Sequence, residues 1–335
     1  MEMFNMQIKN ADPVLVSLLN TLQNSELSEN VYLSRLKSGE SKKLDHSVVR
    51  PNMLGVPEQI LPVFLQILGI RSLTLKESFD LGPLFALDFS VPDQQSGEVL
   101  WHSIRNEEVV RELRLLFQNC STIAFDDWAN IAGASDLWDG LLSEVIKPIH
   151  RTDLEFIFYF GDSTEKRSFQ VDMALDLIGT FSNRGKVTLA LDESEAIKLW
   201  MILNGIQADT AEAQQASVNL KKKYFSIFRT VNIARLLIYS SNTAVLFSND
   251  EQFAISRKSV DYSAEISKDA RQNFIEGFSM GLLMGMDAVH SLALGLCVFG
   301  AYAEPEYTAD KPFLITYIQK WMADLDKSDD IYLYQ

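Results

Sequence analysis

Apolar positions change their spacing along this chain, and the spacing predicts the elements. After Asp12-Pro13, which reads as an N-cap and first helical position, Leu15, Leu18, Leu19 and Leu22 recur at i, i+3, i+4 and i+7 of a first helix. Residues 23–50 are largely polar and loop-like, with a short helix expected at 29–37. Pro57 opens a second apolar helix that Pro62 is placed to kink and Gly69 to close. Residues 72–76 and 84–90 alternate as strands do, and a turn-rich stretch follows at 92–97. Asn106 caps an amphipathic helix whose buried stripe is Val109, Val110, Leu113, Leu116 and Phe117. Residues 121–125 read as a strand, and Ser135 as the cap of a helix bearing Trp138, Leu141, Leu142 and Val145.

The pattern then sharpens. Residues 154–160 are almost continuously apolar, as a strand covered on both faces requires. Ala174, Leu177, Ile178 and Phe181 mark a helix, 186–191 a second strand, and Asp192 with Glu195 a capping box for a helix ending at Asn204-Gly205. A polar helix at 210–228 precedes three short runs, 233–240, 243–247 and 252–256, that read as an antiparallel meander. Residues 313–325 form a last amphipathic helix, and 331–334 an edge strand.

Residues 277–302 are the longest apolar run, interrupted by ionisable groups only at Asp287 and His290. On a helix, Gly277, Gly281, Gly285, Ala288, Ser291 and Gly295 share one side, and a strip of small residues lets another backbone approach closely. A helix over 277–300, about 36 Å long, could cross a bilayer. A carboxylate near its middle would cost about 2.5–3.5 kcal/mol there, so a helix at 277–300 buried within the protein is expected instead. The predicted fold class is α+β: a mainly helical region at 1–120, and a region at 121–335 holding a mixed sheet, the meander and the buried glycine-rich helix.

Composition narrows the functional classes. With 47% hydrophobic and 22% charged residues the chain is built to fold rather than to remain disordered. A net charge of −15 argues against general nucleic-acid binding and favours a basic protein partner. The first residues lack the basic and apolar regions of a secretory signal, and Cys120 and Cys297 make no disulfide framework; both fit the cytoplasm.

No phosphate-loop or dinucleotide-binding glycine pattern is present, and His46, His102 and His150 lack metal-ligand spacing, so no cofactor or metal is expected. Asp126-Asp127-Trp128 reads as a capping or solvated pair of acids. Trp138 and Trp200 read as core, whereas Phe313, Tyr317 and Trp321 form either core or a partner-binding strip. Tyr332 and Tyr334 would suit pairing with a sheet edge.

One constellation suggests catalysis. Gly161-Asp162-Ser163 follows an apolar strand, Asn249-Asp250 ends another, and Asp287-Ala288-Val289-His290 supplies Asp-x-x-His. This set resembles the blocks of the GDSL (SGNH) hydrolases, esterases and lipases on a flavodoxin-like sheet. The resemblance implies Ser163 as nucleophile, His290 as its base, Asp287 orienting the imidazole and Asn249 helping to hold an oxyanion. The chain departs from that family in the long stretch before the first block, in Phe247 standing where the middle block has glycine, and in an Asp-x-x-His embedded in apolar sequence. The leading expectation is therefore a non-catalytic cytoplasmic interaction protein: a subunit, adaptor or inhibitor in a larger assembly. Gly277, Gly281 and Gly285 offer a face for self-association, and the serine ester hydrolase is the alternative.

Overall fold

Caps and glycines set the ends of many elements. The computed structural model describes residues 11–24, 31–33, 61–75, 79, 81–82, 84, 99–206, 219–249, 252–256, 264–302, 304 and 310–325. In chain order these form α1 (Ala11–Asn24), β1 (Val31–Leu33), α2 (Val63–Ile67), β2 (Ile70–Leu75), α3 (Trp101–Ile104), α4 (Glu107–Asn119) and β3 (Cys120–Asp126). There follow α5 (Ala134–Gly140), β4 (Leu154–Tyr159), α6 (Ser168–Phe181), β5 (Gly185–Asp192), α7 (Glu193–Leu203) and α8 (Leu220–Thr230). The remaining elements are β6 (Arg235–Tyr239), β7 (Thr243–Ser248), β8 (Gln252–Ser256), α9 (Ala264–Leu283), α10 (Ala288–Tyr302) and α11 (Lys311–Leu325). The chain divides into two compact units, one made chiefly of Ile60–Leu236, the other of α1 together with Leu237–Gln335.

In the Ile60–Leu236 unit, β2 pairs antiparallel with β3, and β3, β4 and β5 run parallel side by side. Asn106 caps α4 by accepting from Val109 N at 2.8 Å, and Asp192 and Glu195 cap α7 reciprocally at 2.7 and 2.9 Å. Phe156, Ile157, Phe158 and Tyr159 are all fully buried, the signature of a strand covered on both faces. Phe158 stacks on Phe125 at 4.9 Å, and the rings of Trp138 and Phe181 close around them at 5.1 and 5.0 Å. The Trp138 indole donates to Leu68 O at 3.0 Å, so this large side chain is buried without an orphaned N–H. Arg71 on β2 forms a buried ion pair with Asp126 at the end of β3.

The fold class is corrected accordingly. The structure is α/β, with helices α4 to α7 alternating with parallel strands, and β2 and β3 already belong to the sheet. A mainly helical N-terminal part is not what residues 61–126 build. Strands buried on both faces do not alternate, so short β-runs among helices read as minor features. The helix expected at 29–37 is also corrected, since residues 31–33 are extended. Residues 85–90, 207–218 and 326–335 lie outside the described residues, and with them most of the strand expected at 84–90, the first half of the helix at 210–228, and Tyr332 and Tyr334.

In the other unit β7 and β8 form an antiparallel pair, consistent with the expected meander. The glycine-rich stretch is not one helix but a hairpin of α9 and α10. Gly285 has φ +74°, Gly285 N bonds Leu282 O at 3.0 Å and Met286 N bonds Gly281 O at 3.0 Å. This is a Schellman stop, and Asp287 then caps α10 by accepting from His290 N at 2.8 Å. The small residues form the seam. A Cβ on Gly277 would meet Gly295 Cα at 2.8 Å, and one on Gly281 would meet Ser291 Cα at 2.6 Å. Thus Gly277 and Gly281 are covered by the chain's own α10. Asp287, expected to be sealed in the interior, is exposed at the turn. On α11, Tyr317 and Trp321 are buried and Phe313 is half-buried. Among the described residues, no helix is long and apolar enough to cross a membrane.

Candidate functional site

Parallel strands place their carboxyl ends at one edge of the sheet, and in open α/β sheets ligands bind outside that edge. Register brings three chain segments together there, with Asp126 opposite Tyr159 and Tyr159 opposite Ala190. Asp127, directly after β3, adopts φ +61°, in the left-handed region that aspartate tolerates better than most residues. Backbone bonds from Asp127 N to Tyr159 O (2.7 Å) and from Ala129 N to Phe160 O (3.0 Å) tie this turn to the end of β4. Asn130 Nδ2 donates to both carboxylate oxygens of Asp127, at 2.7 and 2.8 Å. That carboxylate occupies the space a side chain at residue 161 would fill: a Cβ on Gly161, itself at φ +83°, would lie 2.3 Å from Asp127 Oδ1.

Asp162 follows at once. It accepts from Thr164 N at 3.0 Å, from the Thr164 hydroxyl, and from Lys198 Nζ of α7 at 2.7 Å. Burial opposes the charged form of Asp162, but the bonds from Lys198 and Thr164 outweigh it and hold the carboxyl below its usual range. On the other flank Trp128 stacks on Phe160 at 4.6 Å and donates to Ser135 Oγ at 2.8 Å, while Lys166 Nζ lies 5.4 Å over its ring. The result is a small acidic cluster bordered by two lysines and an indole. It can accept hydrogen bonds from hydroxyl groups and hold an anionic group nearby.

The sequence-predicted site residues are divided between the two units. Ser163 lies in the Ile60–Leu236 unit, and Asn249, Asp287 and His290 lie in the other. Ser163 is 1% exposed, and its Oγ has no hydrogen-bond partner among the described residues. The His290 ring instead turns to its own turn, with Nδ1 2.7 Å from Asp287 Oδ1. Burial opposes the charge of Asp287, and the bonds from the His290 backbone and ring overcome it, so its carboxyl also sits below the usual range. Asn249 is exposed. Among the described residues there is no group of three or more metal-ligating side chains. Sequence reasoning read Asp127 as a capping or solvated acid and passed over Lys166 and Lys198. The signal that would have found them was Asp-Asp and Gly-Asp falling at the carboxyl ends of neighbouring strands.

No protein-family model matches the sequence, and no curated protein is similar to it. Solved structures to which the chain is similar include an adenosine kinase from Anopheles gambiae, at 15% identity and a TM-score of 0.45, covering 63% of this chain and 57% of that one. Others are a ribokinase from Arabidopsis thaliana (16%, TM-score 0.38, 64% and 60%) and a nucleoside kinase from Methanocaldococcus jannaschii (13%, TM-score 0.38, 60% and 57%). The chain spans about three fifths of the length of these proteins. They are kinases, not adaptors, complex subunits or ester hydrolases. The expectation of a non-catalytic interaction protein, its leaning against an enzyme, and the hydrolase alternative are corrected on that finding. Within its own unit, Ser163 Oγ has no hydrogen-bond partner among the described residues, and the His290 ring is engaged by Asp287 in its own turn.

Proposed function

We propose that the carboxyl edge of β3, β4 and β5 binds a small hydroxylated metabolite, and that the chain acts on it as a phosphoryl-transfer enzyme. The observation supporting this reading is the convergence of Asp127, Asp162 and Lys198 from three separate segments, with Gly161 kept bare so that the Asp127 carboxylate fits against it. The carboxylates accept hydrogen bonds from ligand hydroxyls, and Lys198 and Lys166 offset the charge of a phosphate. Phosphoryl transfer asks a protein mainly for such positioning and charge compensation. The names of the similar solved proteins supply the first ligands to try: ribose, adenosine and ATP.

Titration calorimetry with ribose, adenosine and magnesium-ATP, paired with a coupled assay for ADP release, tests the reading. Saturable binding of at least one ligand is expected, with ADP released when acceptor and ATP are both present. A charge-assisted hydrogen bond is worth about 1.5–3 kcal/mol, so Asp127→Asn and Lys198→Met should each weaken binding by about 10- to 100-fold. Binding unchanged in both folded variants, or no heat from any of the three ligands, would overturn the site.

A further inference from the structure

The outer face of α6 (Ser168–Phe181) exposes two large apolar side chains. Val171, Ala174, Leu175 and Ile178 turn inward and are buried, whereas Phe169 and Met173, one turn apart, are 53% and 62% exposed. Asp172 and Asp176 are exposed on the same helix. At the helix C-terminal end the surface opens into a cleft of about 220 Å³ whose polar lining comes from Asp176, Thr180, Asn183 and Asn232. Local bonds hold that lining in place: Thr180 Oγ1 donates to Asp176 O at 2.9 Å, Asn183 Nδ2 to Thr180 O at 3.2 Å, and Ser182 Oγ to Asn232 O at 2.9 Å. The Asp176 carboxylate has no hydrogen-bond or ion-pair partner among the described residues.

An apolar pair beside a cleft with an uncompensated carboxylate selects for an apolar group next to a cation. Arginine suits the cleft best, since its planar guanidinium offers five donors to the carboxylate, hydroxyl and amide oxygens around it. From Phe169 to Asp176, seven helical steps span about 10 Å, about two turns of a second helix laid alongside. We propose that this face docks a basic amphipathic helix of a partner protein, with an arginine in the cleft at Asp176 and an apolar side chain on Phe169 and Met173. The chain's net charge of −15 adds long-range attraction for such a partner. Docking here is separate from the carboxyl-edge site, and the two stand or fall independently.

The probe is a panel of labelled helical peptides bearing Arg and Leu at i and i+7, with charge-reversed Glu counterparts, read by fluorescence anisotropy on the full chain. Members of the Arg panel should bind, tenfold or more tighter than the Glu panel, and more weakly as salt rises. Met173→Glu and Asp176→Lys should each reduce binding at least tenfold. Both positions are exposed, so thermal melting should stay at the wild-type temperature and separate lost docking from lost folding. The proposal is overturned if no Arg peptide binds, if Glu peptides bind equally, or if sedimentation shows that a second copy of the chain occupies this face.

Discussion

Replacing Gly281 by alanine tests the close packing of α9 on α10 most directly. An added Cβ would meet Ser291 Cα at 2.6 Å and Ser291 Oγ at 2.7 Å. The first of these is backbone, so no rotamer change relieves it and the helices must separate. Overpacking of this kind costs about 1–3 kcal/mol, and a backbone clash belongs to the upper part of that range. Against it stands the better helix propensity of alanine, about 1 kcal/mol in the opposite direction. The net expectation is a loss of about 1–2 kcal/mol, read from the midpoint of equilibrium urea unfolding followed by far-UV circular dichroism. Gly285→Ala is the contrast. Among the described residues, no atom beyond its chain neighbours lies within 4 Å of its added Cβ, and the φ of +74° opposes it, so its loss should be smaller, about 1 kcal/mol. If Gly281→Ala left the midpoint unchanged or raised it, the two helices would not be in such contact. If it changed only the association state, the glycine strip would serve contacts between copies instead of within one chain.

The buried Arg71–Asp126 pair should behave asymmetrically. Arg71→Met removes the guanidinium from the buried Asp126 carboxylate at the end of β3 and should cost about 3–5 kcal/mol in urea unfolding, whereas replacing both partners by apolar residues should recover much of it. Loss of the α10 cap in Asp287→Ala should cost about 1 kcal/mol, with Asp287→Asn keeping the cap but losing the contribution of the charge at neutral pH. Because the folded-state pKa of Asp287 is depressed, the advantage of its charged form is complete above the ordinary carboxylate range and fades as pH falls through the folded value. The gap between wild type and Asp287→Asn should therefore close in acid, and a gap that widens there would refute the assignment.

Much of the element pattern was legible because its causes are local. Asn106, the Asp192–Glu195 box and the Gly205 stop act over a few residues, and the structure shows each where the sequence predicts it. The hairpin was missed although its signal was present. Gly285-Met286-Asp287 places a C-terminal glycine directly before an N-cap, and the uninterrupted apolar run around it masked both. Burying Tyr317 and Trp321 likewise depended on what covers α11, which periodicity alone does not report.

The candidate site lay beyond such reasoning for a different cause. Lys198 and Asp162 are 36 residues apart, and they meet only because β4 and β5 pair in parallel with a particular register. Side-chain chemistry and spacing, which any chain carries in its sequence, determined which stretches coil and which extend and where they stop. Which ends then share an edge, and which glycines touch, was decided by pairing among distant strands and helices, where the free energy comes from burying both faces at once and not from any one segment.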